Sequence, residues 1–164
     1  MLSLTPEIHV QMIAHALDGM PLEACGLFAG IPATAPATAP APVPAAAAQS
    51  ATAAQSAEGQ ISAESQVLRF YPCVNEAQSS KLYTVPGKAF LQADRDAEAN
   101  GWQILGVMHS HTHTDAYPSP TDVAQAPDPD WHYVIVSLRD DLPSLRSYRI
   151  VDGTITEEQV RLAP

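Results

Sequence analysis

The residues able to do chemistry crowd into one stretch, Met108 to Asp122, which reads Met-His-Ser-His-Thr-His-Thr-Asp-Ala-Tyr-Pro-Ser-Pro-Thr-Asp. His109 and His111 are two apart, and on a strand residues i and i+2 point to one face. Both imidazoles could then reach one metal ion. Asp122, eleven residues after His111, could add an oxygen ligand. Two histidines and a carboxylate leave one tetrahedral position to water, the arrangement of a catalytic rather than a structural zinc site. Other ligand sets stay open at this level. His113 continues the i, i+2, i+4 series, so a three-histidine site is one alternative, and Asp115 could replace Asp122 in another. Ser110 points away from the metal if the strand holds, which suits a packing or hydrogen-bonding role.

The flanking sequence supplies elements to hold this stretch. Trp102 to His109 has the apolar character of a central strand. Ser119-Pro-Thr-Asp resembles a helix start, with Ser at the N-cap, Pro at the first helical position and an acid at the third. Pro127 limits that helix to little more than two turns. Thr5 to Gly19 predicts a complete helix: Thr5 caps, Pro6 opens, Gly19 closes, and Ile8, Met12, Ile13, Ala16 and Leu17 share a face. His9 and His15 fall off that stripe and are expected in solvent. Ala24 to Ala29 is small and apolar, and predicts a buried strand ended by Gly30. Glu23 stands at its entrance. Most glutamates are exposed, so local sequence alone favours solvent over a pocket. Cys25 follows two residues later and is expected to be a buried, inert thiol.

Further strands are expected at Val67–Tyr71, Leu82–Val85, Trp131–Leu138 and Leu145–Ile150. A helix fills Lys88–Asn100 and ends at Gly101. Asp152-Gly153 fits a hairpin turn into Thr154–Val160. Trp102, Trp131 and Tyr133 are expected in the core. Pro32 to Gln66 is different in kind, a Pro/Ala tract running into Ala, Gln and Ser with almost nothing large to bury. It is expected to be a flexible insertion, with transient helicity at most over Ala45–Ala57.

The whole chain of 164 residues is read as one domain, 1–164, interrupted by that insertion. Its net charge is −10, with 8 Lys+Arg against 18 Asp+Glu. That balance speaks against a nucleic-acid partner, which needs basic residues at phosphates, and equally against an anionic membrane surface. No apolar run is long enough to cross a bilayer, and the first residues lack the positive start of a secretory signal. We expect a cytoplasmic protein. Cys25 and Cys73 have no metal-type spacing and are expected to stay reduced.

Taken together, Glu23, then His109-Ser110-His111, seven residues, Ser119, two residues and Asp122 resemble the signature of the JAMM metalloproteases, the catalytically competent MPN domains. Glu23-Ala-Cys-Gly-Leu, Asn75, Val134-Ile-Val-Ser-Leu and the closing hairpin are also similar to its short prokaryotic members. The resemblance covers the chain apart from the insertion. It implies an α/β fold, a mixed sheet flanked by helices. It also implies Zn²⁺ on His109, His111 and Asp122, Glu23 as general base and proton carrier, and Ser119 as oxyanion donor. Ser119 keeps a competing reading, as a helix cap alone, because one hydroxyl serves one geometry at a time. The implied activity is zinc-dependent hydrolysis of a peptide or isopeptide bond. The alternatives are a zinc amidohydrolase acting on a small molecule and a non-catalytic MPN scaffold. The short relatives further imply a ubiquitin-like or sulfur-carrier protein as substrate, cut after its terminal glycines. A site at a sheet edge would let an extended tail add as a strand.

Overall fold

The computed structural model describes residues 1–33 and 64–163. Most of the predicted insertion, including Ala45–Ala57, lies outside them. Its far end is shorter than expected, because Ser65 and Gln66 already belong to a strand.

The elements run β1 (Leu2–Leu4), α1 (Pro6–Asp18), β2 (Cys25–Ile31), β3 (Ser65–Cys73), α2 (Gly87–Ala99), β4 (Gln103–His111), α3 (Pro120–Gln125), β5 (His132–Ser137), β6 (Ser144–Val151), β7 (Thr154–Glu158) and β8 (Val160–Leu162). They form one mixed eight-stranded sheet in the order β7-β6-β5-β4-β2-β3-β1-β8. β4 is central, antiparallel to β2 and parallel to β5. β7 and β8 lie at opposite ends of that order yet are separated by only Gln159. The sheet therefore curls until its two edges meet. Leu2 N–H donates to Gln159 O at the seam (2.9 Å). Beside it the buried His132 ring lies between Glu158 and Ser65, and Ser147 Oγ donates to Glu158 (2.8 Å).

α1 packs on one face of the sheet. Ile8, Met12 and Ala16 bury against Phe28, Phe70, Met108 and Val134. Burying Ile8 and Met12 stabilises the fold by about 1.5–3 kcal/mol each. Thr5 caps the helix as expected, accepting from Ile8 N–H (3.3 Å). Leu17 does not join the stripe; it is exposed, because 8, 12 and 16 already form the line that meets the sheet. His15 turns the other way from expectation. Its Nε2 bonds Cys25 O (2.9 Å) and its ring meets the edge of Phe70.

The opposite face carries α2 and the candidate site residues. Cys25, Leu27, Val107, Tyr133 and Ile135 form its core with Ala93 of α2. β4 and β5 approach so closely that a Cβ on Gly106 would lie 2.0 Å from His132 O. Tyr133 is buried as predicted, but Trp102 and Trp131 are only half-buried. Trp102 lies under the Arg69 guanidinium, and Trp131 stacks on Phe90. Leu82–Val85 is not a strand. Asp152 and Gly153 both take positive φ (49° and 77°), the hairpin geometry their types favour. Among the described residues no helix is long and apolar enough to cross a membrane.

Candidate active site

β4 ends where the sequence turns polar. His109 and His111 occupy its last positions on the face shared with Val107, opposite Cys25 of β2 and Ser137 of β5. Central placement buries both rings, at 1% and 5% exposure. The loop after β4 then folds back. Ser137 Oγ donates to Thr114 O (2.6 Å), and Leu138 N–H donates to His111 O (2.9 Å). These bonds return the chain to α3, whose third residue is Asp122.

α3 begins with a reciprocal cap. Ser119 Oγ accepts from Asp122 N–H (3.2 Å), and Asp122 Oδ2 accepts from Ser119 N–H (2.7 Å). The cap aims the Asp122 carboxylate at the two imidazoles. His109 Nε2 lies 3.4 Å from Oδ1, His111 Nε2 lies 3.4 Å from Oδ2, and the two Nε2 atoms are 3.2 Å apart. Zinc bonds of 2.0–2.1 Å at tetrahedral angles put ligand atoms roughly 3.3 Å apart. The two Nε2 atoms stand at that spacing from each other, and each stands at it from one of the two Asp122 oxygens.

In the metal-free chain, protonation favours a metal at His109 and Asp122 and opposes it at His111. Burial pushes His109 below its ordinary value, favouring the neutral ring. His111 is also opposed by burial, but its bonds to Asp122 and Asp115 prevail and raise it. Its Nδ1–H must donate to Asp115 O (2.8 Å), since a carbonyl only accepts. In the neutral ring that leaves the Nε2 lone pair facing the centre. Burial works against the Asp122 anion as well, yet the histidine bonds hold it far below the usual carboxylate range. Neutral histidine and ionised aspartate are the forms that bind metal. His109 Nδ1, in contrast, is buried with no hydrogen-bond partner among the described residues.

Glu23 lies just before β2 and is buried at 6% exposure. The exposed placement that local sequence favoured is therefore wrong. Its main chain is fixed by Glu23 N–H to Ser79 O (2.9 Å) and by Asn75 Nδ2 to Glu23 O (2.9 Å). Ser110 clamps the next residue, with its Oγ accepting from Ala24 N–H (2.8 Å) and its N–H donating to Ala24 O (2.9 Å). This is the hydrogen-bonding role expected of Ser110. Burial pushes the Glu23 carboxyl up to about 7, while nearby His111 pulls down and Asp122 pushes up.

The structure does not bring the alternative ligands to this group. His113 is exposed and bonded to Thr112. Asp115 turns its carboxylate to Arg139 in solvent and serves through its carbonyl. Cys25 is fully buried, its thiol pushed up to about 12 by burial, as an inert cysteine should be. Among the described residues, His109, His111 and Asp122 alone form a metal-competent group.

The sheet-edge expectation fails, because β4 is flanked on both sides. The neighbouring space is instead a cleft of about 650 Å³, lined by Leu27, Tyr83, Val85, Phe90, Val107 and Trp131 among others. Tyr83 joins cleft to centre: its ring stacks on His109 at 4.3 Å and 18°. Sequence reasoning missed this residue by placing it in a strand. The two aromatic residues at the far wall, Phe90 and Trp131, were likewise expected to serve packing alone or were not singled out.

With this geometry described, the likenesses are informative. Residues 5–151 match the model for prokaryotic homologs of the JAB domain. The chain belongs to that family. It is 38% identical over 152 residues to the CysO-cysteine peptidases of Mycobacterium tuberculosis and Mycobacterium bovis, covering 92% of this chain and 84% of theirs. A solution structure of a Desulfitobacterium hafniense protein superposes with a TM-score of 0.76 at 31% identity, covering 99% of this chain and 93% of that one. A structure described as a JAMM metalloprotease-like zinc site in the proteasome and signalosome matches at a TM-score of 0.51 and 12% identity, covering 100% and 99%. At that identity it bears on the fold alone, and the fold is the JAB/MPN one. The expected mixed α/β domain is borne out.

Proposed function

We propose that the chain is a zinc-dependent peptidase that cuts an extended C-terminal tail just after its terminal glycines, on a ubiquitin-like or sulfur-carrier protein. The observation that carries this reading is the convergence of His109, His111 and Asp122, whose ligand atoms lie within 4.8 Å of one another, beside a buried glutamate. These three residues would hold Zn²⁺, which when bound supplies a Lewis acid that polarises a carbonyl and acidifies water.

The rest of the chemistry belongs to the chain. Glu23 takes the proton of the attacking water on a carboxylate oxygen as the new C–O bond forms. It then returns that proton to the leaving nitrogen as the C–N bond breaks, so a neutral amine departs. A carboxyl held near 7 is matched to both transfers. Ser119 serves twice. Its oxygen accepts in the cap, and its single O–H remains free to donate to the oxyanion. The cleft beside His109 offers apolar walls to the tail, and glycines suit a backbone that must approach the metal closely. The substrate class is supported by the curated relatives, which are named for cleaving a CysO-cysteine conjugate.

The test offers zinc-loaded protein a carrier ending in Gly-Gly-Cys, the same carrier with valines in place of the glycines, and linked diubiquitin. Mass spectrometry follows product. The proposal expects release from the first alone. Cleavage of diubiquitin but not the carrier refutes the substrate, and equal cleavage of the valine form refutes the glycine requirement.

A further inference from the structure

The two histidines of the centre are held differently. His111 has the support common to metal-binding imidazoles, an Nδ1–H bonded to a main-chain carbonyl, here Asp115 O at 2.8 Å. His109 has none among the described residues, where its buried Nδ1 finds no partner. Another contact must fix the ring plane if Nε2 is to point at the centre. The ring of Tyr83 lies nearly parallel against it, with centroids 4.3 Å apart.

Tyr83 is itself placed with care. It sits in a segment that is neither helix nor strand, so no ladder holds it. The buried side chain of Asn75 replaces one. Asn75 Nδ2 donates to Leu82 O (2.9 Å) and Asn75 Oδ1 accepts from Thr84 N–H (3.0 Å), the residues on either side of Tyr83. Glu76 N–H adds a bond to Thr84 O (3.0 Å). The same amide also bonds Glu23 O and Ala77 N–H. One side chain thus ties the main chain at Glu23 to the segment that presents Tyr83.

We infer that Tyr83, clamped by Asn75, is a positioning residue for His109, its ring face taking the place of the absent hydrogen bond at Nδ1. The arrangement also suits a cation on Nε2. Metal binding makes the imidazole ring more positive, and an aromatic face attracts positive charge. The inference rests on the zinc reading of the centre.

The experiment uses the full chain stripped of metal, with zinc affinity measured by competition against a chromophoric chelator. Tyr83→Phe keeps the ring; Tyr83→Leu and Tyr83→Met keep apolar bulk without it. Circular dichroism reports the fold, and either folded apolar variant decides the matter. The expected result is wild-type affinity within about twofold for Tyr83→Phe, and a loss on the order of tenfold or more for the other two. The visible spectrum of the cobalt-substituted protein should shift in those two and not in Tyr83→Phe. Wild-type affinity and an unchanged cobalt spectrum in a folded Tyr83→Leu overturn the inference. An equal loss in Tyr83→Phe overturns it too, by transferring the effect to the hydroxyl. A wild-type chain that binds no zinc overturns instead the reading on which it rests.

Discussion

Replacing Glu23 by Gln should stabilise the metal-free fold at alkaline pH while it removes activity. Burial raises the carboxyl from 4.5 to about 7 in the folded chain. A raised acid binds its proton more tightly when folded. Its contribution to stability is fully present below pH 4.5 and is lost as pH rises through 7. The shift corresponds to about 3 kcal/mol at pH 8. Gln has nearly the same shape and carries no charge at any of these pH values, so it avoids that loss. For a chain of this size the gain corresponds to a Tm increase of roughly 6–12 °C. The assay is urea or thermal unfolding of chelator-treated wild type and Glu23→Gln at pH 4.5 and pH 8. Titrating groups remote from Glu23 cancel in the difference between the two proteins, while His111 and Asp122, which act on its carboxyl, add to it. That difference should be near zero at pH 4.5 and reach about 3 kcal/mol in favour of Gln at pH 8. Turnover of the zinc-loaded variant should be almost abolished, because an amide cannot accept the water's proton. A difference that does not change with pH, or a variant less stable at pH 8, refutes the buried-carboxylate argument. Turnover near the wild-type rate refutes Glu23 as base.

Ser119→Ala removes the acceptor of Asp122 N–H. It should cost about 1 kcal/mol in urea unfolding, and it should lower zinc affinity as Asp122 loosens; unchanged unfolding and affinity would contradict the cap. Gly106→Ala places a methyl 2.0 Å from His132 O, where β4 meets β5. It should destabilise by at least about 3 kcal/mol, and a Tm within 2–3 °C of wild type, small on the usual scale, would show that the strands can part cheaply.

The parts of this structure legible in the sequence are those written in local pattern. α1 shows in its cap and its 8, 12, 16 stripe, and the closing hairpin in Asp152-Gly153. The grouping of His109, His111 and Asp122 shows in strand spacing followed by a helix start. What stayed hidden depends on distant partners. β1 is three residues long and exists because β3 and β8 flank it, some sixty and 160 positions away. Leu82–Val85 has strand-like residue types, but the Asn75 side chain takes main-chain groups that a neighbouring strand would have used. Residue type alone sent His15 to solvent, whereas Cys25 O offers it a bond. Glu23 looked exposed for the same reason. The base role proposed for it could be read only when the distant histidines were considered with it.

The central claim is most directly tested by the zinc content of the purified chain and of His109→Ala, His111→Ala and Asp122→Ala, measured by elemental mass spectrometry on protein shown to be folded. About one zinc per wild-type chain is expected, as a single tetrahedral site requires, with most of it lost in each variant. Stoichiometric zinc retained in folded Asp122→Ala, or none in the wild type after growth with zinc, would contradict the claim.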